Sequence, residues 1–91
     1  MNGNYIVESI VNNHNFVFRI TERNNEWRIY VLKFPMRNRG VSGHDCHLVQ
    51  DQFDRYYICW TKLIQSFDSA LTISNMWARR YLKYRYTGQT F

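Results

Sequence analysis

Apolar and polar residues alternate along three successive segments at the start of the chain. The segments are YIVESIV (5–11), FVFRITE (16–22) and EWRIYVLKF (26–34). Alternation with a period of two is typical of a β-strand that buries one face. The connections, residues 12–15 and 23–25, are rich in Asn, which accepts the left-handed backbone of tight turns. Such short connections predict an antiparallel three-stranded meander.

The same alternation assigns two faces to the predicted sheet. Phe16 and Phe18 in the second strand and Trp27 and Ile29 in the third are large apolar side chains on one face. We expect this face to pack against a helix, because it offers the most apolar area. The opposite, open face would then carry Arg19, Arg28, Tyr30, Arg55 and Tyr57.

Residues 35–53 interrupt the strand pattern. They contain the only Pro of the chain, two of its four Gly and two of its three His. Pro35 cannot donate to a β-ladder, so the third strand ends there. We predict a long loop over residues 35–53, in which HLVQDQF (47–53) has no assigned element. The next segment, RYYICWTKL (55–63), alternates again and predicts a fourth strand.

A helical pattern follows Ser66, a residue type favoured at helix N-caps. Asp68 lies in the first predicted turn, where a negative charge interacts favourably with the helix dipole. At 100° per residue, five side chains fall within one narrow stripe. We therefore predict a helix over about residues 67–86 that packs on the sheet through this stripe. Its members are Ala70, Ile73, Trp77, Tyr81 and Tyr84.

Size and composition indicate a single small α+β domain over residues 1–91, with an antiparallel sheet of three to four strands packed on a C-terminal helix. The chain is 45% hydrophobic and 18% aromatic, which excludes disorder over most of its length. The order of strands followed by a helix resembles small DNA-binding domains that lay a three-stranded sheet in a groove, such as the amino-terminal domains of some integrases. The resemblance implies DNA binding through the sheet.

The charge also favours a polyanionic partner. The net charge is +5, and nine Arg outnumber three Lys. Arg suits bidentate phosphate contacts. No acid occurs in residues 27–44 or 69–91, and these two basic blocks would form one surface if the fold brought them together. The candidate nucleic-acid-binding residues are therefore Arg37, Arg39, Arg79, Arg80, Lys83 and Arg85.

Two structural explanations compete with this assignment. Cations near the end of the predicted helix stabilise its dipole whether or not they bind a ligand. The open sheet face is a second candidate for nucleic acid, because interleaved Arg and Tyr can enter a groove or stack on bases. That face could equally be a solvated antiparallel surface on which Glu22 and Glu26 balance some of the arginines.

A protein partner or a second copy of the chain is the alternative to nucleic acid. The loop over residues 35–53 would dock together with exposed aromatic residues, since Tyr, Trp and Arg dominate interface hot spots. The aromatic candidates are Tyr30, Tyr57, Trp60 and Tyr86. Such a module predicts a contiguous exposed apolar patch.

Catalytic and metal chemistry have little support in the sequence. GHDCHL (43–48) offers zinc-binding residue types, of which His44, Cys46 and His47 form a weak candidate site without a second ligand cluster. No phosphate loop, nucleophile elbow or cofactor fingerprint occurs. We expect a non-enzymatic protein without a cofactor.

The start of the chain has no basic leader, and no apolar run is long enough for a membrane span. We therefore expect a cytoplasmic protein that does not contact membranes. In that reducing compartment Cys46 and Cys59 would be free thiols.

Overall fold

The computed structural model describes residues 3–23, 26–35, 48–53, 55–60 and 62–87. Five strands and one helix form within these ranges, which confirms the predicted α+β class with an antiparallel sheet. The sheet has five strands, one more than the upper limit predicted. The elements are β1 Gly3–Val11, β2 His14–Arg23, β3 Glu26–Lys33, β4 Leu48–Gln50, β5 Tyr56–Ile58 and α1 Phe67–Thr87.

The strands lie in the order β1-β2-β3-β5-β4, and every pairing is antiparallel. A two-residue turn joins β1 to β2, because Val11 pairs directly with His14. Asn12 and Asn13 between them have φ values of 50° and 66°. Positive φ at both central residues is required by the type I′ turn, whose twist matches that of the paired strands, and Asn tolerates positive φ. The turn is therefore shorter than the predicted 12–15.

The second half of the sheet corrects two predictions. Residues 48–50 form β4, so the predicted loop over 35–53 is wrong at its end. The strand predicted over 55–63 pairs only at residues 56–58. Beyond Ile58 the chain leaves the ladder, and the Ile64 carbonyl instead accepts a hydrogen bond from the Trp27 amide, at 3.2 Å. The alternation of apolar and polar residues in 55–63 thus continues beyond residues 56–58, which are the ones that pair with a neighbouring strand.

The hydrophobic core lies between α1 and one face of the sheet. Phe16, Phe18 and Ile20 of β2 are completely buried, and all five residues of the predicted helix stripe are buried as well. The Trp77 ring meets the rings of Phe16 and Phe18 edge-on, with centroid distances of 6.2 and 6.3 Å. It stacks on the ring of Tyr81, with 5.0 Å between the centroids. This aromatic cluster supplies large buried area from side chains with few rotatable bonds.

Polar contacts fix the helix at both ends and along its length. Ser66 caps the N-terminus, since its Oγ accepts a hydrogen bond from the Ser69 amide at 3.1 Å. Ser9 of β1 donates to Asn75 at 2.9 Å, which ties the edge strand to the helix. The Tyr81 hydroxyl donates to the Pro35 carbonyl, just after β3. Within the described ranges, no helix is both long enough and apolar enough to cross a membrane.

Candidate nucleic-acid interface on the open sheet face

The face of the sheet that α1 leaves uncovered carries a row of polar and aromatic side chains. Strand alternation places Arg19 of β2 on this face, because its neighbours Phe18 and Ile20 are in the core. Arg19 pairs with Tyr30 of β3, and Tyr30 pairs with Tyr57 of β5. The three side chains therefore form one row across adjacent strands.

Three guanidinium groups surround the Tyr30 ring. The Cζ atoms of Arg19, Arg28 and Arg55 lie 5.0, 6.0 and 5.1 Å from its centroid. The Arg28 Cζ also lies 4.3 Å from the centroid of the Tyr57 ring. The Tyr57 ring in turn meets the Tyr30 ring edge-on, with 5.8 Å between their centroids. We call these five residues the arginine–tyrosine cluster. All five residues that the sequence placed on the open face are thus brought together, and cation–π contacts hold the charges in place.

Tyr30 is only 6% exposed although it lies on the solvent side of the sheet. The surrounding arginines cover it, since their stems pack on apolar surface while their heads stay at the surface. Its hydroxyl accepts a hydrogen bond from Arg28 at 3.2 Å. This bond raises the pKa of Arg28 above its ordinary value, and Arg28 remains a cation at every physiological pH.

Two of the three cations form no ion pair within the described part of the chain. Neither Arg19 nor Arg28 forms an ion pair with a described carboxylate. The Arg19 Nε is buried and has no hydrogen-bond partner among the described residues. Arg55 differs, because it is paired with Asp51 at 3.0 Å. Glu26 interacts electrostatically with Arg28 without forming an ion pair with it. The cluster therefore holds more positive than negative charge, and one of its buried donors is unsatisfied among the described residues, an arrangement that costs free energy without an anion.

A cleft of about 510 Å³ opens over the cluster. Its charged lining residues are Arg19, Arg23, Arg28, Arg55, Glu22 and Glu26. Arg23 pairs directly with Glu26 across β2 and β3, so these two charges offset each other. The cleft thus has an excess of positive charge, centred on Arg19 and Arg28. Glu22 and Glu26 reduce this excess, as the sequence had indicated, but do not cancel it.

A tight turn between β4 and β5 positions Arg55. One carboxylate oxygen of Asp51 accepts hydrogen bonds from the Phe53 and Arg55 amides at 2.8 and 3.0 Å. The other accepts from the Arg55 Nε at 3.0 Å. Desolvation alone would raise the pKa of Asp51, but these bonds and the Arg55 charge outweigh it and lower the pKa to about 2.

The Asp51 carboxyl is expected to titrate near pH 2 in a carbon-detected NMR titration, well below its ordinary pKa of 3.8. Because the folded pKa is the lower one, the carboxylate stabilises the turn above about pH 4. This contribution is lost as the pH falls through 2. Arg55→Gln keeps the two amide bonds and removes the guanidinium, so it should raise the midpoint part of the way. A wild-type midpoint at 3.8 would show that the amides do not donate to Asp51.

The helix cations lie apart from the cluster. Arg79, Arg80 and Lys83 are exposed on α1, on the other side of the sheet. Arg85 is half-buried, with its guanidinium 5.8 Å from the Tyr86 ring. The other two members of the predicted set, Arg37 and Arg39, lie outside the described residues. The structure therefore brings together the sheet-face set and leaves the helix set as a separate surface.

The other candidates from the sequence are the zinc site, the docking loop and the cysteines. His44, Cys46 and His47 lie outside the described residues, as does most of the predicted docking loop. The described part of the chain contains no group of three His, Cys, Asp or Glu side chains that could hold a metal ion. Cys59 is an exposed free thiol.

Among the proposed aromatic anchors, Tyr30 is buried in the cluster. Trp60 and Tyr86 are 38% and 63% exposed.

Two residues of this surface were not anticipated from sequence. Asp51 organises the turn, and Phe53 is 65% exposed at its tip. Both fall in the 47–53 segment that had no assigned element. An Asp followed by a short polar stretch is a turn signal, since its carboxylate bonds amides a few residues further on. That signal was present, but nothing in it points to Arg55 or to the cluster.

No protein-family model, curated protein or solved structure matches this chain. The function of the chain must therefore be inferred from the geometry and charge of the cluster itself.

Proposed function

We propose that the protein is a non-enzymatic nucleic-acid-binding protein, and that the arginine–tyrosine cluster binds the phosphate groups of the nucleic acid. One observation carries the proposal. Three guanidinium groups converge on one tyrosine ring on an open sheet face, and two of them form no ion pair with a described carboxylate. Phosphates are the anions for which the planar guanidinium fork is best suited.

An anion in the cleft would remove the two costs of the arrangement. It would offset the mutual repulsion of the guanidinium groups, which is weakly screened where they pack against aromatic rings. It would also offer acceptors to the guanidinium groups of Arg19 and Arg28, both of which line the cleft. Both effects make phosphate binding favourable at this place.

The cluster is favoured over the helix surface for a structural reason. Positive charges near the C-terminal end of α1 stabilise the helix dipole and keep the exposed helix face hydrated. Around Tyr30, cation–π contacts stabilise each arginine but also bring three positive charges close together, which a solvated sheet face does not require. Arg19 and Arg28 lie on β2 and β3, which are paired on both sides. The Asp51 turn holds Arg55, so the charges are held in fixed positions, as a binding site requires.

Two double variants, each of which removes two positive charges, test which of the two surfaces binds nucleic acid. Arg19→Gln with Arg28→Gln changes the cluster, and Arg79→Gln with Lys83→Gln changes exposed positions on α1. We expect the cluster variant to bind a random-sequence oligonucleotide roughly 10- to 100-fold more weakly in fluorescence anisotropy, because each lost charge-assisted contact costs about 1.4 kcal/mol. The helix variant should stay within about threefold of wild type.

The outcomes of this comparison are distinct. Circular dichroism and thermal melting establish first that both variants are folded. Equal losses in the two variants would mean that net charge alone attracts the polyanion, and the cluster would not be the site. An absence of binding by the wild-type protein at low salt would overturn nucleic-acid binding and direct attention to a protein partner.

A further inference from the structure

Phe53 stands beside the arginine–tyrosine cluster and is 65% exposed. The Arg55 guanidinium lies over its ring, 4.9 Å from the centroid, and 5.1 Å from the centroid of Tyr30. Arg55 therefore connects an exposed aromatic ring to the buried one at the centre of the cluster. One face of the Phe53 ring is backed by a cation, and the residue is otherwise largely open to solvent.

The turn that carries Phe53 is held in one conformation. Asp51 accepts the amide hydrogens of Phe53 and Arg55, and its own amide donates to the Arg55 carbonyl at 3.0 Å. These three hydrogen bonds fix the backbone at Phe53 relative to Asp51 and Arg55. A single exposed Phe is common on protein surfaces, but a ring on a hydrogen-bonded turn, backed by a cation and next to the arginine–tyrosine cluster, has the components of a stacking platform.

We propose that the nucleic acid bound at the cluster is single-stranded, with one base stacked on the outer face of Phe53 and the adjoining phosphates bound by Arg19 and Arg28. This inference rests on the proposed function and specifies its ligand. An unpaired base offers its flat face to a protein ring, whereas the bases of a duplex are stacked on each other. Tyr30 and Tyr57 do not serve this purpose, because guanidinium groups already cover them.

Stacking at Phe53 and phosphate binding at the arginines differ in their response to salt. The sequence places Asp51 and Asp54 on either side of Phe53, so charge gives this turn no general attraction for a polyanion. The contribution of Phe53 should therefore come from the ring and be insensitive to ionic strength. The contribution of Arg19 and Arg28 should fall as salt rises, because it depends on the release of counterions.

The test uses one random-sequence DNA as a single strand and as a duplex, with Phe53→Leu and a matched control. Tyr86→Leu is the control, since Tyr86 is an aromatic residue of similar exposure, 63%, on α1. We expect wild type to bind the single strand at least tenfold more tightly than the duplex. Phe53→Leu should weaken single-strand binding about tenfold at both about 50 and about 200 mM salt. Tyr86→Leu should leave it unchanged.

Failure of this inference can be distinguished from failure of the proposed function. If the duplex binds as tightly as the single strand, or if Phe53→Leu has no effect while the Arg19 and Arg28 variant weakens binding, the cluster binds phosphate without a stacked base. The single-strand inference is then wrong and the proposed function stands. If wild type binds neither form at low salt, both are wrong.

Discussion

Replacement of Trp77 with alanine is expected to lower the free energy of unfolding by about 3–5 kcal/mol. Trp77 is 3% exposed and contacts Phe16, Phe18 and Tyr81. Removing its ring leaves a cavity between the helix and the sheet that these rigid neighbours cannot fill. A domain of this size has a total stability of about 5–14 kcal/mol, so the loss is a large share of it.

Urea denaturation followed by far-ultraviolet circular dichroism measures this loss. Trp60→Ala is the matched control, because Trp60 is the same residue type at 38% exposure, outside the core cluster. It should cost about 1 kcal/mol or less. Comparable losses for the two variants would mean that Trp77 is not at the centre of the core, and the packing of α1 on the sheet would have to be revised.

The main elements of the fold could be predicted because their patterns are local. The helix stripe from Ala70 to Tyr84 follows from a period of 3.6 residues, and the assignment of Phe16 and Phe18 to the core follows from a period of two. Both periods belong to a single segment and do not depend on its partners. A turn at Asn12 and Asn13 could also be predicted, since Asn is among the residue types that accept positive φ, but its length of two residues could not.

The short strands β4 and β5 could not be delimited in the same way. Each has three residues, which is too few for a period to be read. The length of β5 depends on how far β3 extends beside it and on where the chain turns toward Ile64, and β4 in turn pairs only with β5. This information lies in tertiary contacts. The alternation in residues 55–63 was real, but the sequence does not show which of its residues find a partner.

Only part of the candidate site could be predicted from the sequence. Alternation placed Arg19, Arg28 and Tyr30 on one face, since parity along a strand decides the face. It could not show that Arg19 pairs with Tyr30, or that Tyr30 pairs with Tyr57, because register depends on the turn between strands. The convergence on one ring, and the burial of that ring, follow from this register together with the Asp51 turn that positions Arg55. The charge pattern drew attention to α1 instead, because acid-free runs are conspicuous in a sequence.

Tyr30→Ala is expected to reduce both stability and binding. The ring is 6% exposed and contacts Arg19, Arg28, Arg55 and Tyr57. Its removal should cost about 3–5 kcal/mol of unfolding free energy, of which each cation–π contact supplies about 0.5–1 kcal/mol. Without the ring the guanidinium groups lose the surface that holds them together and separate because they repel one another. Oligonucleotide affinity should fall at least tenfold, the smallest loss expected when Arg19 and Arg28 are both replaced.

Tyr30→Phe separates the ring from its hydroxyl. It keeps the surface on which the guanidinium groups pack and removes only the 3.2 Å hydrogen bond from Arg28, so it should cost about 0.5–1.5 kcal/mol. Its affinity for the oligonucleotide should stay within about threefold of wild type. Chemical denaturation and anisotropy on the same samples give both quantities. If the alanine variant is folded and binds like wild type, the arginines hold their positions without the ring, and Tyr30 has no part in positioning them.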